Sequence, residues 1–94
     1  MNKAKETIKM GGCYKTEEGW LIVGVKRNGY YQCRDIIIDD GGYDEEISDL
    51  SEDRIREIAD LSVCFRAYYH KAFGLYKVWD ESRPRSEAIV LQSL

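Results

Sequence analysis

Two spacings of apolar residues divide this chain. The stretch GWLIVGVKRNGYYQCRDIII, residues 19–38, is rich in β-branched and aromatic side chains and alternates with a period of two, the mark of a strand with two different faces. Asn28-Gly29 interrupts it with residues that tolerate positive φ, so the stretch predicts a hairpin. The pattern also argues its register. A two-residue loop would set Val23 opposite Arg34 and Val25 opposite Gln32, mixing apolar with polar on one face. A three-residue loop, with Gly29 in a bulge, pairs Val25 with Tyr31 and Val23 with Cys33. Leu21, Val23, Val25, Tyr31 and Cys33 then share one face, while Lys26, Tyr30, Gln32 and Arg34 point away, and this cleaner pattern is the expectation. Upstream, Ile8 and Met10 alternate with Thr7 and Lys9 as on a short strand, before Gly11-Gly12 marks a bulge or turn.

The second spacing begins near residue 51. Ser51 is a good N-cap, Glu52 and Asp53 suit the positive end of a helix, and Leu50 with Ile55 can form a hydrophobic staple. Ile55, Ile58, Leu61, Ser62, Phe65, Tyr69, Ala72 and Phe73 then fall on one helical face. His70 and Lys71 occupy the last turn and Gly74 ends it. The reading is one main helix over about 51–73. Before it, DDGGYDEE turns the chain and YDEEISDL predicts a helical turn. After it, LYKVWD reads as a returning strand and ESRPRSE as a loop. AIVLQSL is either a last strand or a loosely held tail. The fold class expected is α+β: an antiparallel meander or hairpin sheet packed on one main helix, with a returning C-terminal strand. Residues 1–94 would form a single domain, with 83–94 as the tail or last strand.

Composition narrows the class. The chain is 44% hydrophobic and 33% charged, with one proline, as in a folded protein. No apolar run approaches the roughly 20 residues of a membrane helix, and the lysine-bearing start has no apolar signal region, so a cytoplasmic location is expected. Cys13, Cys33 and Cys64 are odd in number and widely spaced, which favours reduced thiols over a disulfide framework. The net charge of −3 hides an asymmetry. Asp35 to Asp60 holds eleven acidic and two basic residues, a net of −9, against +6 for the remainder. Such a segment is either a solvated acidic loop or a surface that faces something basic.

Catalytic and metal chemistry find little support. An EF-hand loop with Gly41 as its sixth position puts Ile36 and Ile38 at ligand positions, and one with Gly42 puts Ile37 and Gly41 there, so both fail. No C-x-x-C pair occurs. His70, the one histidine, stands six residues from Cys64, on a different helical face, so neither a zinc site nor a Cys-His dyad arises locally. Walker, Rossmann and G-x-S-x-G patterns are missing from the sequence. Pairs such as Asp39/Asp40 and Glu45/Glu46 lack partner groups for hydrolysis. A non-enzymatic protein, with no cofactor and no metal, is the expectation.

Several pieces in order form a further pattern: an opening MNK, Arg34-Asp35-Ile36 at the end of a hairpin, an acidic Gly-containing loop from Asp39 to Asp44, a helix from Ser51, and Gly74 followed by Trp79. Over residues 1–81 this resembles the small type II-C anti-CRISPR proteins that bind the HNH nuclease domain of Cas9. The resemblance implies a phage or mobile-element inhibitor that blocks the nuclease without catalysis, in the bacterial cytoplasm. It implies contacts from Asp39, Asp40 and Asp44 and from the residues before the Trp. Those are small polar and Cys in the family and Lys77 and Val78 here, a departure that removes a side-chain hydrogen bond at Val78. Tyr43, Tyr76 and Trp79 are the candidate anchors. Two alternatives stand beside this reading. One is an immunity protein or antitoxin that neutralises another basic enzyme. The other is a single-stranded nucleic-acid module using Lys26, Arg27, Tyr30 and Arg34.

Overall fold

A computed structural model describes residues 6–40 and 42–91. In chain order it contains β1 (Gly12–Thr16), β2 (Gly19–Arg27), β3 (Tyr30–Asp39), β4 (Gly42–Ser51), α1 (Glu52–Ile58), β5 (Ala59–His70), β6 (Leu75–Asp80), a 3₁₀ turn (Arg85–Glu87) and β7 (Ile89–Val90). The strands make one antiparallel sheet in the order β4-β3-β2-β1-β5-β6-β7. The chain walks outward from β1 to β4, crosses back through α1, and continues on the other side of β1. The α+β class holds, and LYKVWD is the returning strand β6.

The β2–β3 hairpin keeps the expected pair Val23↔Cys33 by a different route. Arg27 faces Tyr30 across a two-residue turn, with Asn28 at φ 51° and Gly29 at φ 84°, which matches the twist of the flanking strands. The extra residue lies lower, where Gly24 and Val25 oppose Gln32 and the register shifts between Val23 and Lys26. A Cβ on Gly24 would stand 2.6 Å from the Gln32 carbonyl oxygen, so only glycine fits that bulge. Leu21, Val23, Tyr31 and Cys33 are buried as expected, but Val25 is 47% exposed. Lys26 lies over the Tyr31 ring at 5.4 Å instead of on the opposite face.

Two further elements correct the sequence reading. YDEEISDL is not helical: β4 pairs with β3 from Tyr30↔Ser51 to Asp39↔Gly42 without a break. The helix expected over 51–73 stops at Ile58. Its start is as read, since Ser51 Oγ accepts from the Arg54 amide at 3.1 Å and Leu50 packs on the cluster around Ile55. Residues 59–70 are strand, because β1 leaves its second edge open and β5 fills it through Gly12↔Arg66 and Cys13↔Phe65. Val63, Phe65, Tyr68 and Tyr69 suit a pleated surface as well as a helical one. Gly74 does adopt a positive φ, 65°, but it closes the β5–β6 turn. Residues 7–9 form no strand, although Ile8 is buried. In the 83–94 segment β7 pairs with β6 and Leu91 is buried; residues 92–94 lie outside the described region.

Two apolar layers lie on either side of the sheet. One joins Tyr14, Leu21, Val23, Tyr31 and Cys33 under Ile8 and Ile55. The other joins Cys13, Trp20, Ile36, Val78 and Leu91, with Trp20 edge-on to Phe65 at 4.9 Å. Each large side chain buried here contributes about 1.5–3 kcal/mol. A flat sheet could not bury the second layer. The sheet curls, so that Tyr43 of β4 reaches 6.3 Å from Tyr76 of β6 although β3, β2, β1 and β5 lie between them in strand order.

Candidate protein-binding surface

The acidic segment as far as Asp49 folds into the β3–β4 hairpin, while Glu52, Asp53 and Glu57 lie on α1 and Asp60 on β5. Tyr30 to Ser51 contains seven acidic residues and one basic residue, a net of −6. Asp39 and Asp40 are exposed at its tip, and Asp44, Glu45, Glu46 and Asp49 are exposed along β4. Among the described residues the strand is the sheet's edge and pairs with β3 alone, so its second row of backbone groups is left without a strand partner. Ile47 stands 59% exposed among the carboxylates. A recess of about 110 Å³ beside it is lined by Ile22, Gly24, Gln32, Arg34 and Ile47.

A polar and aromatic knot holds this hairpin against β6. Arg34 Nη1 donates to Glu45 Oε2 at 2.8 Å, and Tyr76 Oη donates to the same oxygen at 2.7 Å. Tyr43 Oη donates to the Gly74 carbonyl at 3.5 Å, and Tyr69 packs edge-on to Tyr76 at 5.2 Å. Burial first, and then the bond to Glu45, pushes the Tyr76 phenol up to about 12. Tyr76 is therefore a neutral donor already committed to Glu45.

Side-chain parity on β6 divides the other candidates. Tyr76 and Val78 point to the curled interior, and Val78 is fully buried in the second apolar layer, so its side chain presents nothing to a partner. Lys77 and Trp79 point the opposite way, Lys77 opposite Tyr68 and Trp79 5.9 Å from the Tyr68 ring. Asp39, Asp40 and Asp44 are exposed at the hairpin tip, Tyr43 turns inward to Tyr76, and Trp79 and Lys77 stand on a separate face. No protein-family model, curated protein or solved structure matches this chain.

The basic hairpin residues do not form one patch either. Arg34 is bridged to Glu45, Lys26 covers Tyr31, and Arg27 and Tyr30 flank the turn. The sequence reading missed the row Tyr68, His70 and Arg85. Its signal was the alternation Arg66-x-Tyr68-x-His70, which the helical reading concealed. A cavity of about 390 Å³ between the β1–β2 turn and α1 is lined by Thr16, Glu17, Glu18, Asp35, Arg54, Glu57 and Ile58. Burial, followed by Glu18 and Glu46, holds the Asp35 carboxyl above its ordinary range. Among the described residues no cluster of three or more His, Cys, Asp or Glu is arranged to hold a metal ion. All three cysteines are free, and burial raises Cys13 to about 12 and Cys33 to about 11, leaving both as unreactive thiols. No helix of the described residues is long and apolar enough to cross a membrane.

Proposed function

We propose that this protein is a non-enzymatic inhibitor that docks its β3–β4 hairpin on the basic surface of a bacterial nuclease. The resemblance over residues 1–81 makes the HNH domain of Cas9 the first target. The observation that carries the reading is the density of carboxylates at an open sheet edge, with Asp39 and Asp40 at the tip and Asp44, Glu46 and Asp49 exposed on the two faces of β4. Surfaces that grip DNA are basic, and an acidic face steers association with them and sets orientation. The exposed Ile47 offers an apolar contact among the carboxylates, and the unpaired backbone of β4 can accept an added strand. The test is guided DNA cleavage by a panel of Cas9 proteins with the purified protein added. Inhibition together with co-elution on an HNH domain supports the reading, and the absence of both across the panel overturns the Cas9 assignment.

A second reading keeps the surface and changes the target. Buried Val78 and outward Lys77 replace the contact residues that the resemblance implies, which favours an immunity protein or antitoxin that covers a different basic enzyme. Affinity capture from the native host, followed by identification of the bound protein, separates the two: a toxin in place of a Cas nuclease selects the second.

A further inference from the structure

The outward face of β5 and β6 has a different character. Tyr68 and His70 stand two positions apart on β5, with Lys77 opposite Tyr68 and Trp79 opposite Arg66. Their rings form a line. Trp79 lies 5.9 Å from Tyr68, Tyr68 lies 6.1 Å from His70, and His70 stacks on Phe73 at 4.6 Å with 23° between planes. These rings are not the second core layer, which takes Phe65, Ala67, Tyr76 and Val78 from the other face. The Arg85 guanidinium lies 4.2 Å from the Tyr68 centroid and 5.2 Å from that of Trp79, and Arg85 is itself exposed. The aromatic faces therefore already hold one planar cation, whose outer side is open. Among the described residues Arg66 and Arg83 are neutralised by Glu81 and Glu87, whereas Lys71, Lys77 and Arg85 have no carboxylate partner.

We propose that this row is a site for single-stranded nucleic acid. Bases stack on the outer side of the Arg85 guanidinium, which Tyr68 and Trp79 hold from beneath, and phosphates meet Lys77 and Lys71. Every base has a π-face, and a ring row flanked by uncommitted cations matches a strand with splayed bases and a charged backbone. A duplex keeps its bases stacked on one another and would leave the rings unused. The proposal is independent of the docking surface on β4, because the residues of the two sites do not overlap.

The experiment titrates the full chain into a labelled oligo-dT at low salt and follows anisotropy together with tryptophan fluorescence. Trp20 is only 2% exposed, so quenching reports Trp79. Expected are saturable binding, quenching, and a preference for the single strand over a duplex of equal length. Tyr68→Ala should weaken binding about tenfold with the salt dependence unchanged. Lys77→Gln should lower the slope of log K against log salt by about 0.7, one phosphate contact. Lys26→Gln with Arg27→Gln, at the hairpin tip, should change neither. If Tyr68→Ala fails to fold, the Lys77→Gln slope and the Trp79 quenching decide. No binding at low salt, equal affinity for duplex, or loss only on changing Lys26 and Arg27 overturns the proposal. So does self-association that Lys77→Gln abolishes, which would make the acidic edge of a second copy the occupant.

Discussion

The two ends of the sheet answer the same problem, a strand pair with one face left over, in opposite ways. In β3–β4 carboxylates stand on both faces of the edge strand, and that edge is long. In β5–β6 the surplus face is covered by half-buried rings, and β7 shields part of β6. Residues 30–51 carry a net of −6, whereas residues 59–90 carry +1. Charge acts at a distance and is screened by salt, while stacking acts at contact and is not. The acidic end is therefore suited to steering a partner and the aromatic end to holding one. The curl brings the two ends together on one face, through Glu45 with Tyr76 and Tyr43 with Gly74.

The largest effect should come from removing what both ends share. Trp20→Ala takes away the edge contact to Phe65 and a fully packed indole, and should cost about 3–5 kcal/mol in urea unfolding. A loss confined to one end, seen by hydrogen exchange, would show that the ends fold separately. Gly24→Ala should cost about 1–3 kcal/mol, because its Cβ meets the Gln32 carbonyl oxygen, and it should raise exchange in β3 and β4 more than in β6. Changing Asp39, Asp40 and Asp44 together to Lys should slow association with a basic partner about tenfold or more at low salt, with the difference closing as salt is added; rates indifferent to both changes would remove the acidic tip from docking. Tyr76→Phe deletes one of the bonds that tie the ends and should cost about 1 kcal/mol, an effect that vanishes in a Glu45→Ala background, where no side-chain acceptor remains.

The smallest effect belongs to Glu81, which Lys9 and Arg66 contact at 2.9 and 2.7 Å. Hydrogen bonds from Lys9 first, and then Arg66, hold its carboxyl down at about 2. A depressed folded value means stability that is complete above the ordinary glutamate range and lost as pH falls toward 2. Titration of Glu81 by NMR checks this, and Lys9→Met should move the midpoint up.

The hairpin, the Ser51 cap and the strand at LYKVWD were legible because each is decided locally. The strand β4 was not, because as an edge with both faces mostly exposed it shows no apolar alternation over YDEEISDL. For β5 the apolar positions Phe65, Tyr69 and Phe73 fit a helix, while Phe65, Ala67 and Tyr69 fit a strand, and the open edge of β1 decided between them. At the candidate site, the acidic tip could be read directly. The separation of Tyr76 from Trp79 could also have been read, since positions three apart on a strand face opposite ways. The approach of Tyr43 to Tyr76 depends on the curl of the whole sheet and has no local signal.

The open edge of β4 has one more consequence. A ten-residue strand with unpaired backbone groups is a template on which identical strands can stack, and Ile47 in its middle would favour such growth. The repulsion between Asp44, Glu45, Glu46 and Asp49 and their counterparts on a second copy opposes it. Edge-to-edge association should therefore rise when these carboxylates are neutralised, and light scattering of Asp44→Asn with Glu46→Gln against the unaltered chain checks it.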